Sequence, residues 1–182
     1  MTHPHAGEDN ASSSASLMID ADELARLQDE AVEITRALIR IDTSNYGTGD
    51  PQTWGPGEAA AADLVEQLLT DVGLPTQRFS SAPGRDSVVT RIPGTDPNAG
   101  GLVIHGHLDV VPADADDWSY DPFGAEIHDG MIWGRGAVDM KDMVGMILAV
   151  ARHLQRTGHR PRRDLVLAFF ADEEAGGVYG AR

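Results

Sequence analysis

The stretch LVIHGHLD, residues 102–109, carries the strongest indication of the fold. It begins with three consecutive apolar residues, a pattern typical of a buried strand in a parallel sheet rather than of a half-exposed strand. It ends with His107 and Asp109, which follow the apolar run directly. Ligands of open α/β sheets bind beyond the carboxyl ends of the strands. The stretch therefore predicts both a central strand and one side of a binding site.

The segments around this strand alternate between helical periodicity and short β-like runs. In chain order they predict a helix at 20–41, a helix at 61–69, strands at 87–92 and 102–105, a hairpin at 126–133, a helix at 140–154 and a strand at 165–171. Asp20 and Glu23 have the spacing of a capping box at the start of the first helix. Strands interleaved with helices predict an α/β three-layer sandwich, with a largely parallel central sheet flanked by helices.

Composition and charge exclude several classes of protein. The 182 residues, of which 41% are hydrophobic, suit one domain with its own core. The net charge of -15 argues against a nucleic-acid partner and against anionic membrane surfaces. No apolar run approaches the ~18 residues of a membrane span. Residues 1–18 are polar and Ser-rich without the apolar region of a secretory signal, so we expect a disordered tail and a cytoplasmic location.

Three separate segments carry side chains that suit a metal site. His107 and Asp109 follow one predicted strand, Asp139 opens a predicted helix, and Glu173 and Glu174 follow another strand. Because the carboxyl ends of parallel strands meet at one edge of a sheet, we expect the three segments to meet there. The chain has no cysteine, so any metal would be held by imidazole and carboxylate groups, a set that suits a hydrolytic metal site.

The spacing within these segments suggests how the groups would divide their roles. If the backbone stays extended, His107 and Asp109 point to the same side, so that the Asp109 carboxylate accepts a proton from one ring nitrogen while the other nitrogen faces the metal. Adjacent glutamates on a strand point in opposite directions. One of Glu173 and Glu174 would then bind metal while the other remains free as a general base.

Each group also has an ordinary explanation when it is taken alone. A His-x-Asp pair is commonly hydrogen-bonded within a loop, Asp139 would be a good helix N-cap, and paired glutamates are commonly surface residues. One alternative is therefore a non-hydrolytic α/β binding domain that only retains the sheet. In that case the side chains of His107, Asp139 and Glu174 would lie more than about 8 Å apart, because direct metal–ligand bonds are only ~2.0–2.2 Å long.

Four motifs occur along the chain in the order of a known family. They are His105-Gly106-His107-Leu108-Asp109-Val110-Val111-Pro112, then Trp118 with Asp121-Pro122-Phe123, then Gly134-Arg135-Gly136-Ala137-Val138-Asp139-Met140-Lys141, and Asp172-Glu173-Glu174. Together they resemble the co-catalytic zinc amidohydrolases and peptidases, a family that includes acetylornithine deacetylase, succinyl-diaminopimelate desuccinylase, aminoacylase and the glutamate carboxypeptidases. The resemblance covers residues 20–182.

The resemblance implies a metal-dependent hydrolase that cleaves amide bonds of N-acyl amino acids or small peptides. It implies two divalent ions, expected to be zinc, with cobalt or manganese as alternatives. His107 would bind one ion, Glu174 would bind the other, and the Asp139 carboxylate would bridge them. Glu173 would be the general base, and Asp109 would orient the His107 ring.

The resemblance also implies that the family extends further than this chain. Its members continue with another acidic ligand, a distant histidine and an inserted small domain that covers the site and mediates dimerisation. Residues 19–182 are accordingly interpreted as the N-terminal portion of a catalytic domain, and a homodimer is expected only of the complete protein. A catalytically silent fragment, or a metal-binding remnant, remains an alternative. In this family the peptide bond after the bridging aspartate, here Asp139–Met140, is often cis.

Overall fold

The computed structural model describes residues 19–47 and 54–181; the predicted polar tail at residues 1–18 lies outside them. Helices and strands alternate in the order α1 (Ala21–Ile39), α2 (Ala59–Thr70), β1 (Thr76–Ala82), β2 (Arg85–Ile92), β3 (Gly101–His107), a 3₁₀ turn (Ala115–Asp117), β4 (Glu126–His128), β5 (Met131–Trp133), α3 (Lys141–Thr157) and β6 (Asp164–Phe170). Within these ranges no helix combines the length and apolarity that crossing a bilayer requires. The predicted α/β class and the three predicted helices are confirmed.

The main sheet is mixed rather than largely parallel, so that part of the prediction is wrong. In the part of the chain that the structure describes, the strand order is β1-β2-β6-β3, and only the β3–β6 pair is parallel. The reason lies in the connection from β1 to β2, which consists of Pro83 and Gly84 alone and pairs Ala82 with Arg85. A turn of this length joins only antiparallel strands. Strand β2 then pairs antiparallel with β6.

All three helices lie on one face of this sheet and share one hydrophobic core. Helices α2 and α3 contact the strands, and α1 packs against α3. The core combines residues from the helices and from the facing side of β2 and β6, including Leu38, Val65, Val88, Leu148 and Phe169. The described residues therefore supply two of the three predicted layers.

Strand β3 lies at the edge of the described sheet, which corrects the prediction of a fully buried strand. Leu102 is 43% exposed and Val103 is 59% exposed. Val103 belongs to the face opposite the helices, which also includes Phe79 of β1. Residues of β3 become buried only towards its end, at Gly106 and His107.

Helices α1 and α3 are in close contact at Gly145. A Cβ atom added to Gly145 would lie 2.2 Å from the Thr35 hydroxyl and 3.0 Å from the backbone oxygen of Ala31. A glycine inside a helix costs about 1 kcal/mol relative to alanine. Its presence in α3 is therefore explained by the contact with α1 and not by helix propensity.

Replacing Gly145 by alanine is expected to lower the free energy of unfolding by about 1–3 kcal/mol, because the added methyl group overpacks the contact between the helices. Helix propensity predicts the opposite sign. Urea unfolding followed by circular dichroism measures the change. Val150→Ala, at an exposed position of the same helix, is the control and should change stability by less than about 0.5 kcal/mol. A more stable Gly145→Ala protein would contradict the close approach.

A buried ion pair joins the start of α2 to the start of β2. Arg85 Nη1 donates to Glu58 Oε1, and both side chains are almost fully buried. Burial raises the pKa of the Glu58 carboxyl to about 7, although the positive charge of Arg85 opposes this shift. The folded protein therefore keeps a proton on Glu58 to a higher pH than the unfolded chain does.

Glu58→Gln removes this titration and tests its effect on stability. The unfolded chain releases the proton near pH 4.5 and the folded protein near pH 7, so the stabilising contribution of the protonated group is complete below pH 4.5 and is lost as the pH rises through 7. Over that interval the unsubstituted protein should lose up to about 3 kcal/mol relative to Glu58→Gln. Urea unfolding at pH 4.5 and pH 8 measures the difference, with Glu33→Gln as an exposed control. A relative gain by the unsubstituted protein would show that pairing with Arg85 outweighs burial.

Candidate metal centre

The parallel register of β3 and β6 brings two of the predicted segments to one edge of the sheet. His107 is the register partner of Phe170, so both strands end at the same level. The next residue after β3, Leu108, donates its backbone N–H to Phe170 O at 2.8 Å. The polar residues that follow the two strands therefore start from neighbouring positions.

The three predicted ligands meet at this edge. His107, Asp139 and Glu174 each offer a ligand atom, and these atoms all lie within 4.8 Å of one another. His107 Nε2 is 3.0 Å from Asp139 Oδ1, close to the ~3.3 Å that separates two ligand atoms around a tetrahedral ion with bonds of ~2.0–2.1 Å. One imidazole with two carboxylates also has the donor chemistry that zinc accepts. This convergence argues against a binding domain that only retains the sheet.

Asp139 is presented by a short loop in front of α3. The peptide bond between Asp139 and Met140 is cis, as the family resemblance implied. The loop is held by Lys141, whose backbone N–H donates to Gly136 O at 2.8 Å. The buried Lys141 ammonium also donates to two backbone oxygens at the end of α1, those of Leu38 at 3.0 Å and of residue 41 at 2.8 Å. The end of α1 thus fixes the start of α3 and the aspartate before it.

Asp109 is fully buried beneath the ligands and accepts hydrogen bonds from the backbone of Glu173 and Glu174. Its Oδ1 accepts the N–H of Glu173, and its Oδ2 accepts the N–H of Glu174, each at 3.0 Å. Burial alone would raise the pKa of Asp109, but hydrogen bonds from His107, from Asn45 and from these two amides hold it below its ordinary value. The carboxylate is therefore kept ionised.

His107 lies close to the Asp109 carboxylate, as expected, but it lies closer to the backbone oxygen of the same residue. His107 Nδ1 lies 2.9 Å from the backbone oxygen of Asp109 and 3.5 Å from its carboxylate Oδ1. The backbone oxygen is therefore the nearer acceptor. Either contact directs Nε2 of His107 towards Asp139 and Glu174.

Glu173 and Glu174 lie in a turn and not on a strand, which corrects the expected alternation of their side chains. Strand β6 ends at Phe170, and Asp172 has a left-handed φ of 61°. This turn directs both following N–H groups towards Asp109. The Glu173 side chain is 62% exposed, and its Oε2 lies 3.9 Å from His107 Nε2. All five predicted site residues are therefore near one another, and the Asp139 side chain, at 77% exposed, also faces solvent.

The electrostatics of the cluster favour a cation. Burial favours neutral His107, but hydrogen bonds to Asp109 and Asp139 outweigh it and raise the pKa of His107 to about 9. Burial raises the pKa of Glu174, and the negative charges of Asp139, Asp109 and Glu173 raise it further, against the effect of His107. A divalent ion at this position would relieve the repulsion among the carboxylates.

Two buried polar residues of this region were not identified from the sequence as functional. Asn45 donates to Asp109, and Asp172 both accepts from Asn45 and precedes the two glutamates. In the sequence, Asp172 stands out only as the first residue of the Asp172-Glu173-Glu174 motif. Asn45 lies between the first two predicted helices, in a stretch rich in Thr, Asn, Gly and Pro, and no spacing or periodicity distinguishes it.

Comparisons with known proteins agree with this geometry. Residues 103–182 match the family model described as Peptidase family M20/M25/M40. Aminoacylase-1 of Sus scrofa is 38% identical over 151 residues, which are 82% of this chain and 35% of that protein. Succinyl-diaminopimelate desuccinylase of Rhodopseudomonas palustris (strain BisB5) is 35% identical over 157 residues, which are 83% of this chain and 37% of that protein. The crystal structure of human carnosine dipeptidase 1 superposes with a TM-score of 0.69 at 25% identity, covering 87% of this chain and 35% of that one.

This chain corresponds to only a part of each relative. The chain spans about 35% of the length of the aminoacylase and 37% of the desuccinylase. The fold and the cluster described above therefore correspond to a part of each relative, and the activity of a whole relative does not transfer directly to this chain.

Zinc titration of the metal-free chain tests the ligand assignment. Because each of two ions would have only two of the three clustered groups as ligands, we expect weak binding. Glu174→Ala should weaken it by a further factor of about ten or more, since even residues that only orient ligands contribute 10–100-fold. Isothermal titration calorimetry measures both constants, with exposed Glu33→Ala as the matched control. Equal affinities with and without the Glu174 carboxylate would exclude it as a ligand, and tight stoichiometric binding would contradict the incomplete ligand set.

Proposed function

Because the chain belongs to peptidase family M20/M25/M40, we propose that it forms the metal-binding part of a hydrolase that cleaves amide bonds of N-acyl amino acids or small peptides. The observation that carries the proposal is the convergence of His107, Asp139 and Glu174, with Glu173 beside them. The substrate class is supported by the relatives, which are named as an aminoacylase, a desuccinylase and a dipeptidase.

The proposal includes two divalent ions, which we expect to be zinc, with cobalt or manganese as alternatives. His107 would hold one ion, Glu174 the other, and the two oxygens of Asp139 would serve both. Such ions act as Lewis acids and lower the pKa of a water molecule from about 15.7 towards about 7. The fully buried Asp109 would keep His107 oriented and the Glu174 backbone in place.

Glu173 is proposed as the general base. Its carboxylate is exposed to an approaching substrate, yet Oε2 lies only 3.9 Å from His107 Nε2. From this position it can accept a proton from the attacking water and later deliver that proton to the nitrogen of the departing amine. A base positioned in this way contributes about 10²–10⁴-fold to the rate.

A chain that binds metal without turnover is the second candidate function. The observation in its favour is the ligand count, because among the described residues the cluster contains three groups. Two ions sharing Asp139 would then have two protein ligands each, whereas catalytic zinc usually has three. Metal binding by this chain without hydrolysis of N-acyl amino acids or dipeptides would favour this candidate. The predicted cytoplasmic location, and a homodimer of the complete protein, stay predictions.

Glu173→Ala separates metal binding from catalysis. We expect the variant to keep its zinc affinity within a factor of about three, because the residue is not among the ligands, and to lose about 10²–10⁴-fold in kcat. Release of free amine from a panel of N-acetyl amino acids and dipeptides in the presence of zinc measures turnover. Glu126→Ala, a change of the same kind in the exposed β4–β5 hairpin, is the control. Unchanged kcat in Glu173→Ala would refute the general-base assignment.

A further inference from the structure

Asn45 lies buried beneath the candidate metal centre, where backbone pairing fixes its position. Its own N–H donates to Val110 O at 2.8 Å, and the N–H of Val110 donates to Thr43 O at 3.1 Å. The Thr43 hydroxyl donates to Leu108 O at 2.7 Å. These bonds join the loop after α1 to the segment that follows β3. The side chain of Asn45 therefore extends from a well-determined backbone.

The side-chain amide of Asn45 bridges two buried carboxylates. Nδ2 lies 2.9 Å from Asp109 Oδ2 and 3.0 Å from Asp172 Oδ1. An amide nitrogen has two protons, so it can donate to both. Without them, two buried acceptors would face each other with no proton between them, and both would lose a donor. Asn45 thus joins the segment after β3 to the segment after β6.

The buried ion pair described above determines which way this amide points. Asn45 Oδ1 accepts from Arg85 Nη2 at 2.9 Å, and Arg85 is itself held by Glu58. If the amide were rotated by half a turn, its oxygen would face the two carboxylates and its nitrogen would face the guanidinium group. All four hydrogen bonds of the side chain would be lost, including the one that Oδ1 accepts from the N–H of Gly47 at 3.2 Å. Only the described orientation satisfies every partner.

The two bridged carboxylates determine the position of the backbone of Glu173 and Glu174. Asp109 accepts the N–H groups of Glu173 and Glu174, and Asp172 is the left-handed residue directly before them. A shift of either carboxylate would therefore move both glutamates. Through these two contacts, the amide of Asn45 acts on residues that it does not touch.

We propose that Asn45 is a positioning residue of the metal centre, which locks Asp109 and the turn at residues 172–174 in one arrangement and so sets how Glu174 approaches His107. Its importance for hydrolysis rests on the function proposed above. The positioning itself is a property of the metal-free chain and can be measured there.

Asn45→Asp is the direct test, because it preserves the size of the side chain and replaces both donated protons by a carboxylate oxygen. Hydrogen exchange of the metal-free protein, followed by NMR, reports on the turn through the N–H of Glu174 and on the sheet through the N–H of Leu167. We expect the ratio of the first exchange rate to the second to rise at least about tenfold, because local opening is affected rather than global unfolding. Asn98→Asp makes the same charge change in an exposed turn and should leave the ratio unchanged.

Asn45→Ser provides a second variant, neutral and too short to reach both carboxylates, and is expected to raise the same ratio. Zinc affinity is the second readout, and we expect a loss of about 10–100-fold in both variants. An unchanged exchange ratio in a folded variant, or an equal effect of Asn98→Asp, would overturn the proposal. If neither variant folds, Asn45 belongs to the fold and the proposal is also overturned.

These measurements distinguish the positioning role from the proposed function. If the unsubstituted chain fails to hydrolyse any tested amide while the exchange ratio still rises in the Asn45 variants, the proposed function fails and the positioning role stands. If amides are hydrolysed and the Asn45 variants change neither the ratio nor the zinc affinity, the positioning role alone fails.

Discussion

The parallel pairing of β3 with β6 is the constraint on which the candidate metal centre depends. Its register sets His107 beside Phe170, so the chain leaves both strands at the same level. The segment after β3 then provides Asp109, whose carboxylate accepts the N–H groups of Glu173 and Glu174 after β6. A slip of one residue would turn His107 to the opposite face of the sheet. The register of these two strands, rather than the mere presence of polar residues, therefore brings the groups together.

The site has a buried lower part and an exposed upper part with different electrostatics. In the lower part, the Asp109 carboxylate is surrounded by donors, namely one imidazole, the Asn45 amide and two backbone N–H groups. Amide donors do not titrate, so most of this support persists over a wide pH range. In the upper part, Asp139 and Glu174 add negative charge with fewer donors, and the pKa of Glu174 is raised. The lower part keeps the ligands in position, and the negative charge of the upper part favours binding of a cation.

Features that neighbouring residues specify could be predicted from the sequence, whereas features that depend on long-range contacts could not. Helices and the β4–β5 hairpin were predictable because neighbouring residues specify them, as with the Asp20 cap of α1 and the turn at Asp129. Strand β1 was missed, since its polar sequence lacks the alternation of a half-buried strand and it is defined by pairing with β2. The three ligands could be predicted because they lie at the ends of predicted strands and at the start of a predicted helix. The role of Asn45 could not be predicted, because its partners Asp109 and Asp172 lie 64 and 127 positions away.

The exposed edge of β3 also affects how separate copies of the chain behave towards one another. Among the described residues one edge of β3 has no pairing strand, and such an edge with apolar side chains nearby, here Leu102 and Val103, is a template for edge-to-edge aggregation. The net charge of -15 opposes such encounters by mutual repulsion. This repulsion reaches about 30 Å in 0.01 M salt but only about 8 Å at physiological ionic strength. Colloidal stability of the chain should accordingly be greatest in dilute buffer, and added salt should promote precipitation.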